Sequence, residues 1–250
     1  MTTDADHDRD DTASLLLDAA RRGSAYLEGL GHRAVRPSPA AVAELSRLEQ
    51  PLPGAPADPA TVLAELDATV SPATMAMAGP RFFGFVIGGA LPAALAANWL
   101  ASAWDQNAAL ESVTPGVARV EAVALRWLVD VLGLPPGTEG AFVTGATMAN
   151  FTALAAARHA VLARAGWDVA ADGLTGAPPV TVIVGEEAHP TLLKSLGLLG
   201  FGRRRIVRLP VDAQGRVRPD SLPRLSGPTI VCLQAGNINT GAFDPLDVLC

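Results

Sequence analysis

Residues 140–161 read GAFVTGATMANFTALAAARHAV. A short apolar run, 141–144, enters a turn of small residues, TGAT, and an alanine-rich helical pattern follows. The pattern predicts a strand at 141–144 and a helix from Met148 to about Ala165. A helix N-terminus exposes unpaired backbone N–H groups and carries partial positive charge. Gly145 and Ala146 let a ligand come close to that backbone, and Thr144 and Thr147 add hydroxyl groups. Such a turn suits an anion, a phosphate above all. It also reads as an ordinary tight turn with a threonine cap. The sequence has neither GxxxxGK[ST] nor GxGxxG here, so it is neither a P-loop nor a dinucleotide fingerprint. Phe151, Leu154, Val161 and Leu162 form the expected core stripe, and the alanines permit close packing on a sheet.

Two more stretches have the same layout. The run VTVIV, 180–184, predicts a strand and leads into GEEAHPTLLKS. His189 then lies just past a strand's C-terminal end, where open α/β sheets bind ligands. A histidine there can stack on a flat ring or move protons, or it can simply cap the helix expected over 191–199. The run TIVCLQ, 229–234, predicts another strand and is followed by AGNINTG. Asn237, Asn239 and Thr240 offer amide and hydroxyl groups, in a sequence that is also good turn chemistry. In a parallel sheet all three turns share one rim.

The rest of the chain supports that sheet. Strand and helix patterns alternate after residue 140, with a further short strand in RRIVRLPV, so the fold class is α/β with a mostly parallel sheet. The segment EAVALRWLVDVLGLP predicts an amphipathic helix stopped by Gly133 and two prolines. Residues 1–75 form an acidic tail and helices separated by proline breaks. The first eleven residues are expected to lack structure, 12–29 to be an amphipathic helix, and Asp58 to open another. This arm has little room for its own core. Residues 76–250 form the front part of a large domain. Its last helix starts at DPLDVL, with Asp244 as the expected cap. No cap, glycine or proline closes that helix, so the 250 residues read as the front of a longer protein. Lys194 is the only lysine and is expected on the surface.

Net charge is −6 and the pI about 5.2, which does not suit a nucleic-acid partner. The two cysteines, Cys232 and Cys250, form no disulfide framework or metal pattern, and favour a reducing cytoplasmic compartment. The N-terminus has no apolar signal-peptide core. Residues 82–104 run without a charge, long enough to span a bilayer. Pro92, three glycines and Asn98 interrupt them, so the expectation is a buried strand or loop leading to a core helix, with no membrane partner.

Five stretches, in order, carry a family resemblance. They are RFFGFVIGGALPAALAANWLASAWDQNA, TPGVARVEAVALRWLVDVLGLP, GAFVTGATMANFTALAAAR, EEAHPTLLKSLGLLGFG and LQAGNINTGAFDPL. They resemble the group II pyridoxal-phosphate-dependent amino-acid decarboxylases, which include the aromatic-L-amino-acid, histidine, tyrosine and glutamate enzymes. The resemblance implies the PLP-dependent transferase fold type I and a homodimer whose N-terminal arm packs across the partner. It implies decarboxylation of an L-amino acid to its amine and carbon dioxide, with pyridoxal 5′-phosphate (PLP) as cofactor. Gly145, Ala146 and Thr147 would hold the cofactor phosphate. His189 would stack on the ring as the catalytic histidine, Asn237 and Asn239 would lie beside it, and Phe82 and Phe83 would wall the substrate entrance. The family's ring-nitrogen aspartate and Schiff-base lysine fall beyond this sequence. The expectation is therefore a fragment of an enzyme, or a truncated non-catalytic subunit. An aminotransferase or carbon–carbon lyase on the same fold is the enzymatic alternative.

Overall fold

The computed structural model describes residues 4–108 and 110–250, with side chains from Asp11 onward. These residues group into two compact units, one ending at Gln106 and one beginning at Asn107.

The first unit is helical. Helix α1 spans Asp4–Gly29, α2 Pro39–Ala43, α3 Pro59–Val70 and α4 Pro92–Trp104. Most of the acidic tail expected to lack structure is thus the first part of α1, in keeping with the affinity of carboxylates for a helix's positive end; residues 1–3 lie outside the described residues. Short polar caps set the other starts. Ser38 accepts from Ala41 N at 3.1 Å, and Asp58 from Thr61 N and Thr61 Oγ1, each at 2.8 Å. The Thr61 hydroxyl, then the Thr61 amide, hold the Asp58 carboxyl below its ordinary value. Arg22 ties α1 to α3, bonding Asp18 at 2.8 Å and Asp67 at 3.1 Å. The Arg33 guanidinium lies 4.9 Å from the centre of the Tyr26 ring. Among the described residues of this unit few side chains are buried: Leu30, Thr69 and Ala76.

Residues 82–104 depart from the expected buried strand and core helix. Residues 82–91 form no strand, and α4 buries no residue; Trp99, Leu100 and Trp104 remain exposed. The unit's small set of buried side chains cannot cover so apolar a helix. Phe85 and Val86 both have positive φ, 57° and 53°, a region costly for side chains with a Cβ. Among the described residues no helix is long and apolar enough to cross a membrane.

The second unit is α/β. Helix α5 spans Pro115–Val131, α6 Ala146–Arg164 and α7 Val169–Asp172. Strand β1, Thr181–Gly185, is followed by α8, Pro190–Leu198. Then come β2, Val207–Leu209, β3, Thr229–Cys232, and α9, Leu246–Leu249. The sheet order is β2-β1-β3, and both pairings are parallel. Register aligns Ile183 with Val207 on one side and with Val231 on the other. Strand β1 is buried on both faces, as a central parallel strand must be. Val182 and Val184 pack with Leu154 of α6, Leu196 of α8, Leu199 and Ile230. Ile183 turns the other way, onto Leu209 and Val217.

The strand expected at 141–144 is absent. No strand of the sheet pairs with it, and Phe142 and Val143 are exposed. An apolar run becomes a strand only when a neighbour completes its ladder.

Leu196 is fully buried, whereas Leu198, two residues on, is 64% exposed. Leu196→Ala is expected to cost about 2–5 kcal/mol and Leu198→Ala less than about 0.5 kcal/mol, read from urea-unfolding midpoints.

Candidate functional site

His189 stands at the end of the turn leaving β1. It is the N-cap of α8, with φ −60° and ψ 140°, and Pro190 takes the first helical position. Its Nδ1 lies 3.3 Å from Thr191 N and 2.8 Å from Thr191 Oγ1. The ring is largely exposed. The capping role is therefore real, and the cap sits at the sheet's C-terminal rim.

The start of α6 lies beside it. Gly145 caps α6 through its backbone alone, and the first helical bond is Ala149 N to Gly145 O at 3.0 Å. The N–H groups of Ala146, Thr147 and Met148 make no hydrogen bond among the described residues. The expected strand does not bring this end to the rim; packing against α8 does. Ser195 Oγ reaches the Thr147 carbonyl at 3.0 Å and the Thr191 carbonyl at 2.9 Å. Asn150 Nδ2 donates to Thr191 Oγ1 at 3.1 Å.

The loop after β3 closes the third side. Asn237 is buried, and both ends of its carboxamide are engaged within the protein. Its Oδ1 accepts from Asn239 N at 2.9 Å and Thr240 N at 3.3 Å, and its Nδ2 donates to Glu187 Oε2 at 2.8 Å. Asn237 thus shapes its own loop and joins it to the turn before His189. The Asn239 side chain is exposed.

Asp244 does not cap α9 as expected. It is buried, and its carboxylate accepts from Val217 N at 2.7 Å and Gln234 N at 2.6 Å. The sequence DP suggests a cap, but these two amides take the carboxylate instead and make no other hydrogen bond among the described residues. Val217 belongs to an excursion after β2, where Val211 and Val217 form an antiparallel bridge. Asp212 organises its tip, bonding the Arg216 guanidinium at 2.8 Å and the amides of Gln214 and Arg216. The guanidinium, then the Arg216 amide, hold the Asp212 carboxyl below its ordinary value.

A cavity of about 150 Å³ lies between these elements. Asn150, His189, Glu187, Gln234 and Asp244 give it polar walls, and Cys232 is part of its lining. Of the residues singled out from sequence, His189 lines it. Gly145, Ala146, Thr147, Asn237 and Asn239 do not, although Thr147 and Asn237 bond to elements that do. Phe82 and Phe83 belong to the first unit, Phe82 half-buried and Phe83 91% exposed. Lys194 is exposed on α8, as expected. Asn150, Thr191, Glu187 and Gln234 carry no motif. Only Asn150 had a signal, a short polar side chain one helical turn from Thr147 on an alanine-rich helix.

The pyridoxal-dependent decarboxylase conserved domain matches residues 42–250. The chain belongs to that family. It is 29% identical to tryptophan decarboxylase 1 of Oryza sativa subsp. japonica, over 95% of this chain and 49% of that protein. It is also 29% identical to the aromatic-L-amino-acid decarboxylase of Bacillus atrophaeus, over 82% of this chain and 42% of the relative. Among solved structures, Oryza sativa TDC with PLP and tryptamine superposes with a TM-score of 0.82 at 26% identity, covering 96% of this chain and 52% of that one. Mouse CSAD in its apo form gives 0.82 at 25% identity, over 95% and 51%. The chain spans about half the length of these relatives. The match agrees with the α/β architecture and with the N-terminal helices.

The residues present suit a phosphorylated ring. Three open amides and the Thr147 hydroxyl would give a phosphate its donors, and His189 offers a flat ring at the start of α8, the helix tied to α6 by the Ser195–Thr147 bond. These observations support the fit independently of the family match.

Two outcomes follow for this family member. Asp244→Ala leaves one buried and one part-buried amide without an acceptor and is expected to cost about 3 kcal/mol in unfolding free energy, with Asp244→Asn costing less. Burial pushes the Cys232 thiol up from 9.0 to about 11. Because the folded state holds this proton more tightly, the unfolded state loses it first, and stability falls as pH rises from 9 to 11. A Cys232→Ala variant should lose less stability than the wild type across that window, by about 2 kcal/mol in denaturant titrations.

Proposed function

We propose that the protein containing this chain decarboxylates an L-amino acid to the corresponding amine and carbon dioxide, with pyridoxal 5′-phosphate as cofactor. One observation carries the reading. The open amide end of α6, His189 and the loop after β3 converge at one rim of a parallel sheet, linked by the Thr147–Ser195, Asn150–Thr191 and Asn237–Glu187 bonds.

The cofactor, when bound, supplies an electron sink for the pair left behind by departing carbon dioxide. The chain's own residues do the rest. Gly145, Ala146 and Thr147 would hold the phosphate through the open amides of the first turn of α6 and the Thr147 hydroxyl, so the helix's positive end would anchor the anion. His189 would stack on the ring and help hold its plane. Asn237 sets the shape of the loop that would bring Asn239 beside the cofactor. The resemblance gives Phe82 and Phe83 the substrate entrance. The same reading includes a homodimer and, from the scarcity of cysteine, a cytoplasmic setting.

Product analysis with a panel of L-amino acids tests the reaction. Amine and carbon dioxide support it; a keto acid would assign the protein to transamination instead. Thr147→Ala should raise the PLP concentration for half-saturation about tenfold, through loss of a hydrogen bond to a charged group. His189→Ala should both weaken PLP binding, read by visible absorbance, and slow turnover. Wild-type behaviour in both variants would overturn the residue assignments.

A further inference from the structure

His189 is held in a way that decides which of its nitrogens carries hydrogen. The backbone N–H of Thr191 points at Nδ1 from 3.3 Å. A backbone N–H only donates, so Nδ1 holds a lone pair there. The Thr191 hydroxyl, 2.8 Å from the same atom, must then turn its hydrogen toward Nδ1. That leaves the lone pairs of Thr191 Oγ1 free to accept, and Asn150 Nδ2 donates to them at 3.1 Å. The bonds run in one direction, from the Asn150 amide through the Thr191 hydroxyl to His189 Nδ1. The relay crosses from α6 to α8, and the fully buried Ser195 pins that crossing on the Thr147 carbonyl at 3.0 Å. The ring hydrogen of the neutral imidazole falls on Nε2. That atom makes no hydrogen bond among the described residues, and His189 lines the cavity.

We propose that Asn150 and Thr191 are positioning residues that hold His189 in its Nε2–H form, so that the ring meets a ligand as a hydrogen-bond donor and not as a base. A donor at this rim recognises an anionic oxygen, carboxylate or phenolate in type, and not an ammonium group. The identity of the ligand rests on the proposed function, but the tautomer does not. A proton taken up during turnover then has to go to some group other than His189 Nδ1, because that lone pair is already shared by two donors.

The test is long-range nitrogen–proton NMR on the full chain labelled with ¹⁵N-histidine, without cofactor, in mildly alkaline buffer. His189→Gln identifies the resonances by their loss. The expected spectrum has Nδ1 at the pyridine-type position and Nε2 at the pyrrole-type position. Asn150→Asp provides the sharper arm. A carboxylate only accepts, so it draws the Thr191 hydroxyl hydrogen to itself and leaves Oγ1 to accept from the ring. The Thr191 N–H then remains the single donor to Nδ1, so part of the hydrogen should move onto Nδ1, shifting the averaged Nδ1 signal partway toward the pyrrole-type position. Thr191→Ser should keep the wild-type pattern, and Thr191→Val should give a mixture of the two forms. A pyrrole-type Nδ1 in the wild type would overturn the proposal. So would an Asn150→Asp spectrum identical to the wild type, because a residue that only packs the α6–α8 interface would not move hydrogen between ring nitrogens. With PLP added to the full-length protein that contains this chain, absorbance should show Thr191→Val needing several-fold more cofactor than Thr191→Ser. Failure of the wild type to bind PLP would remove the proposed function and leave the tautomer assignment standing. The reversed tautomer would do the opposite.

Discussion

Strand β1 is paired in parallel on both sides and buried on both faces, and this double demand organises the second unit. A parallel ladder sends the chain out at the same rim after β1 and after β3. Burial on both faces requires cover on both faces. Helices α6 and α8 cover the side of Val182 and Val184, and the excursion bearing Val217 covers the side of Ile183. Helix α8 follows β1 directly, so its first turn lies at the rim, and His189 with it. The position of His189 is thus a consequence of sheet topology before it is a matter of chemistry.

Much of this was legible because it depends on local pattern. The apolar run 180–184 and the run 229–234 become β1 and β3 to within two residues at either end. The capping residue before α3, the stop of α5 near Gly133 and the exposure of Lys194 follow from residue chemistry alone. What depended on neighbours was not legible. Residues 141–144 have the composition of a strand but no ladder partner. Asp244 reads as a cap, yet tertiary contact places its carboxylate between two amides from distant segments. Asn237 reads as a ligand group, whereas its carboxamide serves its own loop and Glu187. Asn150 acquires meaning only once α6 crosses α8.

The family match and the local chemistry are two separate routes into this chain. The match rests on an alignment over most of the chain. The chemistry rests on three amides left open at α6 and a histidine whose Nδ1 is occupied by two donors. The apolar faces of α4 and α5 belong to neither route. Trp99, Trp104 and Trp127 stand exposed on them.

The carboxylate of Asp244 stitches the excursion after β2 to the end of β3, and Thr240 Oγ1 adds a second stitch to the carbonyl of Gln214 at 2.7 Å. Two loops far apart in the chain therefore behave as one cassette. Lengthening either by a residue would pull an acceptor away from the other, so evolutionary drift in one must be matched by compensating change in its companion. Anyone transplanting the loop after β3 into another scaffold would have to move the excursion with it.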